Sequence, residues 1–463
     1  MSQEIVTISP IDGRIVVRRE CASPADIDAA LGLARLAQRA WKATSLAERS
    51  ALVARAVDAL VERKDEISAE LTLQMGRPIR YTPGEIGGFE ARARHMMAIA
   101  AQALADVEPA PIEGFTRFIR REPVGVVLVV APWNYPLLTA VNAIVPALLA
   151  GNTVLLKHSA QTPLVAERLA QAFRSAGLPE GVFQYLHTSH DDTRRMIGSS
   201  EVDFVCFTGS VAGGVAVEQA AAGRFIGVGL ELGAIDPAYV RADADLAHAA
   251  ETLVDAAFFN SGQSCCGIQR MYVHQAVMDE FIERAVALTL QYKLGNPLDP
   301  DTTLGPVVRA AAANDIRGVL AQAMAKGARG LIDARRFALD SGDSAYMAPQ
   351  ILAGVDHGMR IMREECFGPV CGIMSVASDD EAIALMNDSS YGLSAAVFTA
   401  DPVRALAIGE RVDTGTWFMN RCDYLDPALA WTGIKNSGRG ATLSSIGFEH
   451  LTRPKSFHLK TTL

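Results

Sequence analysis

The chain has no surplus of basic residues, no long apolar run and no paired cysteine spacing, and each absence removes a class of function. Among 463 residues, 43 Lys and Arg stand against 52 Asp and Glu, a net charge of −9. The basic residues come in ones and twos, such as Arg120-Arg121 and Arg194-Arg195, so no basic face is offered to a phosphate backbone and no nucleic-acid partner is expected. The apolar run Val124–Val130 is too short to cross a bilayer and runs into Pro132, while 137–156 is broken by Asn142, Pro146, Gly151 and Asn152. The opening residues Met-Ser-Gln-Glu-Ile-Val lack the basic segment and apolar core of a signal peptide. No membrane partner is therefore expected, and a cytoplasmic location is. The seven cysteines, at 21, 206, 265, 266, 366, 371 and 422, are odd in number and scattered, which fits free thiols in a reducing compartment. Cys366 and Cys371 lie five apart, but no histidine or second cysteine pair completes a zinc set, so no metal site is expected. Internal repeats, low-complexity segments and long linkers are also missing.

What is present is an alternation of amphipathic helices and short apolar strands. A chain of this length exceeds one hydrophobic core, so two or three domains are expected. Helices are predicted over 25–40 and 46–64, each preceded by a Ser or Thr able to cap it. Val124–Val130 reads as a strand buried on both faces. A helix near 138–149, a strand 153–156, a helix 163–176 and strands near 182–186 and 204–207 follow, with a further strand 271–274 and helix 276–288 downstream. That βαβα order predicts an α/β fold with parallel sheets and right-handed crossovers.

Four stretches carry chemistry. Asn260-Ser-Gly-Gln-Ser-Cys265-Cys266-Gly267 sets a thiol behind a polar, glycine-containing turn, and Glu231 in Leu-Glu-Leu-Gly offers a carboxylate that the fold could bring to it. A lone free cysteine is ordinarily a small buried hydrophobe, so the neighbouring motifs decide the matter. Phe207-Thr-Gly209-Ser210 joins a strand to an Ala-rich helix, where close backbone approach and free N–H groups suit a phosphate; a tight turn without a ligand is the equal alternative. Lys157 ends a buried strand, where it could meet a ribose hydroxyl or simply face solvent. Glu364-Glu365-Cys-Phe367-Gly-Pro places acids beside an aromatic, suited to a ribose diol and a nicotinamide-type ring.

Together these stretches, with Pro132-Trp133-Asn134-Tyr135-Pro136 and Asn387 with Tyr391-Gly392-Leu393, resemble the aldehyde dehydrogenase superfamily from near the N-terminus to the end of the chain. The resemblance implies a Rossmann-type cofactor domain (1–109 and 123–231), an α/β catalytic domain (232–444) and a small β oligomerisation arm (110–122 and 450–463), with 115–121 and the tail Ser456–Leu463 forming the arm of a homodimer or homotetramer. It also implies NAD(P)-dependent oxidation of an aldehyde to its acid. Cys265 would attack the carbonyl, the Asn134 amide and the Cys265 N–H would hold the oxyanion, and Glu231 would activate water against the thioester. Trp133, Lys157, Ser159, Gly209, Ser210, Leu232, Glu365 and Phe367 would hold the dinucleotide.

The departures from the family pattern are informative. Lys157 is followed by His158-Ser159-Ala160 where many members have Pro-Ser-Glu; without that glutamate a 2′-phosphate is not repelled, so the choice between NAD and NADP stays open. Thr442 and Ala143 stand where some members carry an acid and a lysine that shuttle protons behind the base, so proton exit is expected to use water or Glu231 alone. Semialdehyde-specific relatives place arginines at the positions of Asn142 and Phe259, so the usual carboxylate clamp is missing. Tyr135, Leu138, Phe258, Phe259, Tyr424 and Trp431 would form an apolar, partly aromatic mouth, and a medium apolar or aromatic aldehyde is the expected substrate. The alternatives are a semialdehyde dehydrogenase and a CoA-acylating relative; the latter generally does without Glu231.

Overall fold

Five strands assemble in parallel around two whose apolar residues leave no face for water. In the computed structural model, which describes residues 3–462, Val126–Val130 and Thr153–Lys157 are buried at every position. Met1, Ser2 and Leu463, at the outer ends of the expected cofactor domain and arm, lie outside the described residues. Val126–Val130 is flanked by Thr153–Lys157 and Phe204–Thr208, with Phe183–Tyr185 and Gly227–Glu231 outside them. The strand order reverses at Val126–Val130, and such a reversal opens a crevice at the carboxyl ends of the strands. A short strand, Gly438–Arg439, joins the edge antiparallel and sets Gly438 opposite Glu231.

A second sheet carries the rest of the core. Asp236–Val240 lies at its centre, paired in parallel with Ile268–His274 on one side and Ser394–Phe398 on the other. Val370–Val376, Gln350–Ala353 and Thr416–Met419 extend it in parallel, and Arg329–Gly330 closes one edge antiparallel. Glu231 is the last residue of its strand, and Cys265 stands three positions before Ile268. The carboxylate therefore comes from the carboxyl edge of one sheet and the thiol from the amino edge of the other, in the seam between them.

The expected N-terminal helices form as Pro24–Ala43 and Leu46–Val61, capped by Ser23 and Ser45, and Ser23 closes a capping box with Asp26. The helix expected from 276 begins at Met278, after a turn of 3₁₀ helix. Phe115–Pro123 pairs antiparallel with Thr452–Lys460, a longer and earlier pairing than 115–121 with 456–463. Two further helices, Lys64–Met75 and Thr82–Ala103, were not expected. The second opens with Thr-Pro-Gly and contains Gly87-Gly88, which read locally as helix breakers. Gly88 is there for contact: a Cβ on it would lie 2.6 Å from the Leu138 side chain, so its absence lets this helix lie close against Pro136–Leu149. Among the described residues no helix is long and apolar enough to cross a membrane.

Candidate active site

The thiol sits on a strained turn. Helix Leu246–Phe258 stops where Asn260, Ser261 and Gly262 adopt left-handed backbone angles, with φ of 52°, 56° and 70°. A Cβ on Gly262 would lie 2.0 Å from the Gly368 carbonyl, so the turn is pressed against the loop that carries Glu365 and Phe367. Side chains hold it there. Gln263 accepts from the Val308 N–H (2.7 Å) and donates to the Asn260 carbonyl (3.0 Å), while Ser261 donates to the Gly305 carbonyl (2.8 Å). Cys265 itself stays partly exposed.

Asn134 is brought to this turn by a buried network that the sequence did not reveal. Its amide donates to the Gln263 carbonyl at 3.2 Å, leaving its second N–H free. Its own carbonyl accepts from Arg77 and Asn260. Arg77 is ion-paired to Glu85, both buried, and Glu85 accepts from the Leu137 and Leu138 N–H groups at 3.0 Å each. The Arg77–Glu85 pair thus fixes the Trp133–Leu138 segment against the cysteine turn. Arg77→Ala should cost about 3–5 kcal/mol, because it strands the Glu85 carboxylate in the interior; urea unfolding of the variant measures this.

Glu231 is held at both oxygens: Thr208 donates at 2.9 Å and Thr442 at 2.5 Å. Burial raises its pKa, and the two hydroxyls and Arg92 oppose the shift. A carboxyl raised in this way is a stronger base than an exposed one. Cys266, beside Cys265, is buried and donates through Sγ to Asp423 at 2.9 Å; Ser264 donates to the same oxygen at 3.0 Å. Burial pushes Asp423 up to about 6. Arg421, unaccounted for in sequence, stacks its guanidinium on the Tyr424 ring at 3.4 Å.

The crevice of the first sheet has the features of a dinucleotide site. Lys157 is buried at the strand end, and its ammonium has no hydrogen-bond or ion-pair partner among the described residues; burial lowers its pKa. An unpaired cation held in that position calls for a polar ligand, and ribose hydroxyls supply one. Ser210 caps helix Val211–Ala221 through the Gly213 N–H (3.1 Å), and Gly209 precedes it at the crevice. Trp133 and Phe367 meet edge-to-face with centroids 5.6 Å apart. Glu365 accepts from the Ala234 N–H at 3.0 Å, and burial raises it to about 7. Ser159 is less free, since its hydroxyl accepts from the Gln161 N–H. His158, held neutral by burial at about 4, links Ser159 to the Pro136 carbonyl. These residues fit a dinucleotide.

A cavity of about 1020 Å³ runs past the thiol on the other side. Its lining includes Cys265, Glu231, Leu232, Tyr135, Leu138, Asn142, Phe259, Tyr424 and Trp431. Phe258 does not take part: it is fully buried in the apolar core against the second sheet, edge-on to Tyr292. The alternation of a helix end puts neighbouring side chains on different faces, so Phe259 reaches the cavity while Phe258 turns inward. Arg92 is the unexpected member. It donates to the Leu138 carbonyl (2.7 Å) and to Asn142 (3.3 Å), and its guanidinium has no carboxylate partner among the described residues. Asp255 lines the same cavity, and burial raises its pKa.

A partly exposed thiol, a buried carboxyl and a crevice that fits a dinucleotide meet in one seam, the arrangement expected of a thiol-dependent oxidoreductase. The chain belongs to the aldehyde dehydrogenase family, whose profile matches residues 1–457. It is 35% identical to an aldehyde dehydrogenase of Paenarthrobacter nicotinovorans, over 98% of this chain and 99% of that protein. It is 34% identical to the NAD(P)+ succinate semialdehyde dehydrogenase Sad of Escherichia coli K12, over 96% and 95%. Among solved structures, the NADP-dependent glyceraldehyde-3-phosphate dehydrogenase of Bacillus halodurans C-125 complexed with NADP superposes with a TM-score of 0.93 at 31% identity, covering 99% of this chain and 96% of that one. The protein is an aldehyde dehydrogenase.

Proposed function

We propose that this NAD(P)-dependent aldehyde dehydrogenase oxidises an aldehyde of medium size with an apolar or aromatic body, and that water releases the acid. The observation that carries the reading is a large cavity onto which both Cys265 and Glu231 open, walled by Tyr135, Leu138, Phe259 and Trp431. The Cys265 thiolate attacks the carbonyl carbon and leaves an oxyanion. The free N–H of Asn134 and the Cys265 N–H stabilise that charge. A dinucleotide held in the crevice would supply the hydride acceptor for this carbon. Cys265 then carries a thioester, and Glu231 takes a proton from the water that hydrolyses it. Asn134→Ala should lower kcat by about 10²–10³-fold, the usual loss for one oxyanion donor; steady-state kinetics on one aldehyde checks this.

NAD or NADP serves as cofactor. Lys157 and Glu365 would hold the riboses, Ser210 with Gly209 the pyrophosphate, and Trp133, Leu232 and Phe367 the nicotinamide side. Ala160 places no carboxylate after Ser159, so a 2′-phosphate meets no repulsion from that position. We place the enzyme in the cytoplasm, in keeping with its seven free thiols. We further propose a homodimer or homotetramer joined through the arm of Phe115–Pro123 and Thr452–Lys460, whose second strand is mostly exposed.

A second reading, a semialdehyde substrate, is favoured by Arg92, a guanidinium without a carboxylate partner that faces the cavity from a position other than 142 or 259. An aldehyde panel with both dinucleotides, run on wild type and Arg92→Gln, separates the two. The apolar reading expects aromatic and medium alkyl aldehydes to give the highest kcat/KM, with Arg92→Gln changing them by less than about tenfold. A lead for a four-carbon semialdehyde, lost by about 100-fold in Arg92→Gln, would replace it.

A further inference from the structure

Glu231 also lines a second, much smaller cavity of about 20 Å³. It has room for about one water molecule. Its lining includes Glu231, Thr442, Ala143, Cys206, Arg439 and His450. The small side chains of Thr442 and Ala143 leave this space open. Arg439 is exposed and paired with Glu218, and His450 is partly exposed, so this part of the lining reaches the surface.

We propose that His450 and one water in this cavity carry the proton of Glu231 to solvent. The assignment rests on the reading of Glu231 as the base in thioester hydrolysis. Of the groups lining the cavity, only Glu231 and His450 readily exchange a proton with water. Threonine hydroxyls and an arginine do not, and burial raises the Cys206 thiol far above its usual range. The His450 ring stacks on Phe204, with centroids 5.2 Å apart, and neither ring nitrogen has a hydrogen-bond partner among the described residues. Burial lowers its pKa to about 4, so the resting ring is neutral and can accept. In each turnover the attacking water gives one proton to Glu231. The Glu231 O–H passes it to the cavity water, that water gives a proton to one ring nitrogen, and His450 returns one to bulk solvent. One proton leaves for each thioester hydrolysed, and Glu231 is again a carboxylate.

The test uses the whole enzyme in dilute, non-nucleophilic buffer, with His450→Ala, His450→Phe and Glu231→Gln. The first turnover needs no proton exit, so decay of the acyl-enzyme in a single turnover should match wild type in both His450 variants. Multiple-turnover kcat should fall at least tenfold. Added imidazole should restore His450→Ala but not His450→Phe, whose ring fills the space. An unchanged kcat in His450→Phe overturns the proposal; so does a loss in His450→Ala that imidazole leaves untouched, or one shared by the single turnover. If Glu231→Gln also leaves steady turnover unchanged, the base assignment itself fails; if only the His450 variants are silent, the relay alone fails.

Discussion

Cys265→Ala is expected to abolish aldehyde-dependent formation of reduced dinucleotide, a loss of about 10⁴–10⁶-fold, the scale seen when a nucleophile acting within a catalytic unit is removed. The neighbouring thiol cannot replace it. Cys266 is buried, its S–H is directed to Asp423, and its contact with Cys265, burial and the Asp423 charge together raise its pKa well above the usual thiol range. A thiol that stays protonated is a poor nucleophile. Cys266→Ala should therefore retain most of the activity, within about tenfold, and it serves as the control. Initial rates of NADH or NADPH absorbance under saturating aldehyde measure both variants. Equal losses in the two would move the chemistry from Cys265 to the pair.

Glu231→Gln should separate the two halves of the reaction. In the proposed mechanism acylation of Cys265 does not call on the Glu231 base, so a burst of reduced dinucleotide equal to the enzyme concentration should persist. Hydrolysis does call on it, and steady turnover should drop by about 10²–10⁴-fold, the usual contribution of general-base catalysis. The pH dependence follows from the raised pKa of Glu231. The base works only when deprotonated, so wild-type turnover rises with pH through a value above the ordinary carboxylate range, and the rise disappears in Glu231→Gln. Thr442→Val removes one of the hydroxyls that lower this pKa and should shift the rise to higher pH. Stopped-flow traces across pH measure burst and turnover together.

Much of this was legible in the chain because its signals are local. Val126–Val130 and Thr153–Lys157 declare themselves as continuous apolar runs, and the glycine-rich turns beside Cys265 and Ser210 mark sharp changes of backbone direction. The parts that escaped depend on packing between distant segments. Helix Thr82–Ala103 looks broken by Gly87 and Gly88 until Leu138 is seen to occupy the space of the missing Cβ. The Arg77–Glu85 pair spans eight residues of sequence, but its purpose, holding the Asn134 and Leu137–Leu138 backbone, becomes visible only when the helix at 136 is docked. Arg92 likewise lies far from every motif and reaches the cavity only through that docking. Phe258 shows the opposite error: its neighbour Phe259 lines the site while it does not, a one-residue difference of face at an irregular helix end.

The central claim is an acyl-enzyme on one sulfur, and it can be weighed directly. Glu231→Gln, mixed with excess benzaldehyde and NADP or NAD and quenched in acid after the burst, should carry a single acyl adduct. Proteolysis and mass spectrometry should place it on the peptide containing Cys265, and fragmentation should put it on Cys265 rather than Cys266. An adduct on Cys266, or a burst of reduced dinucleotide with no acyl group on the protein, would contradict the account.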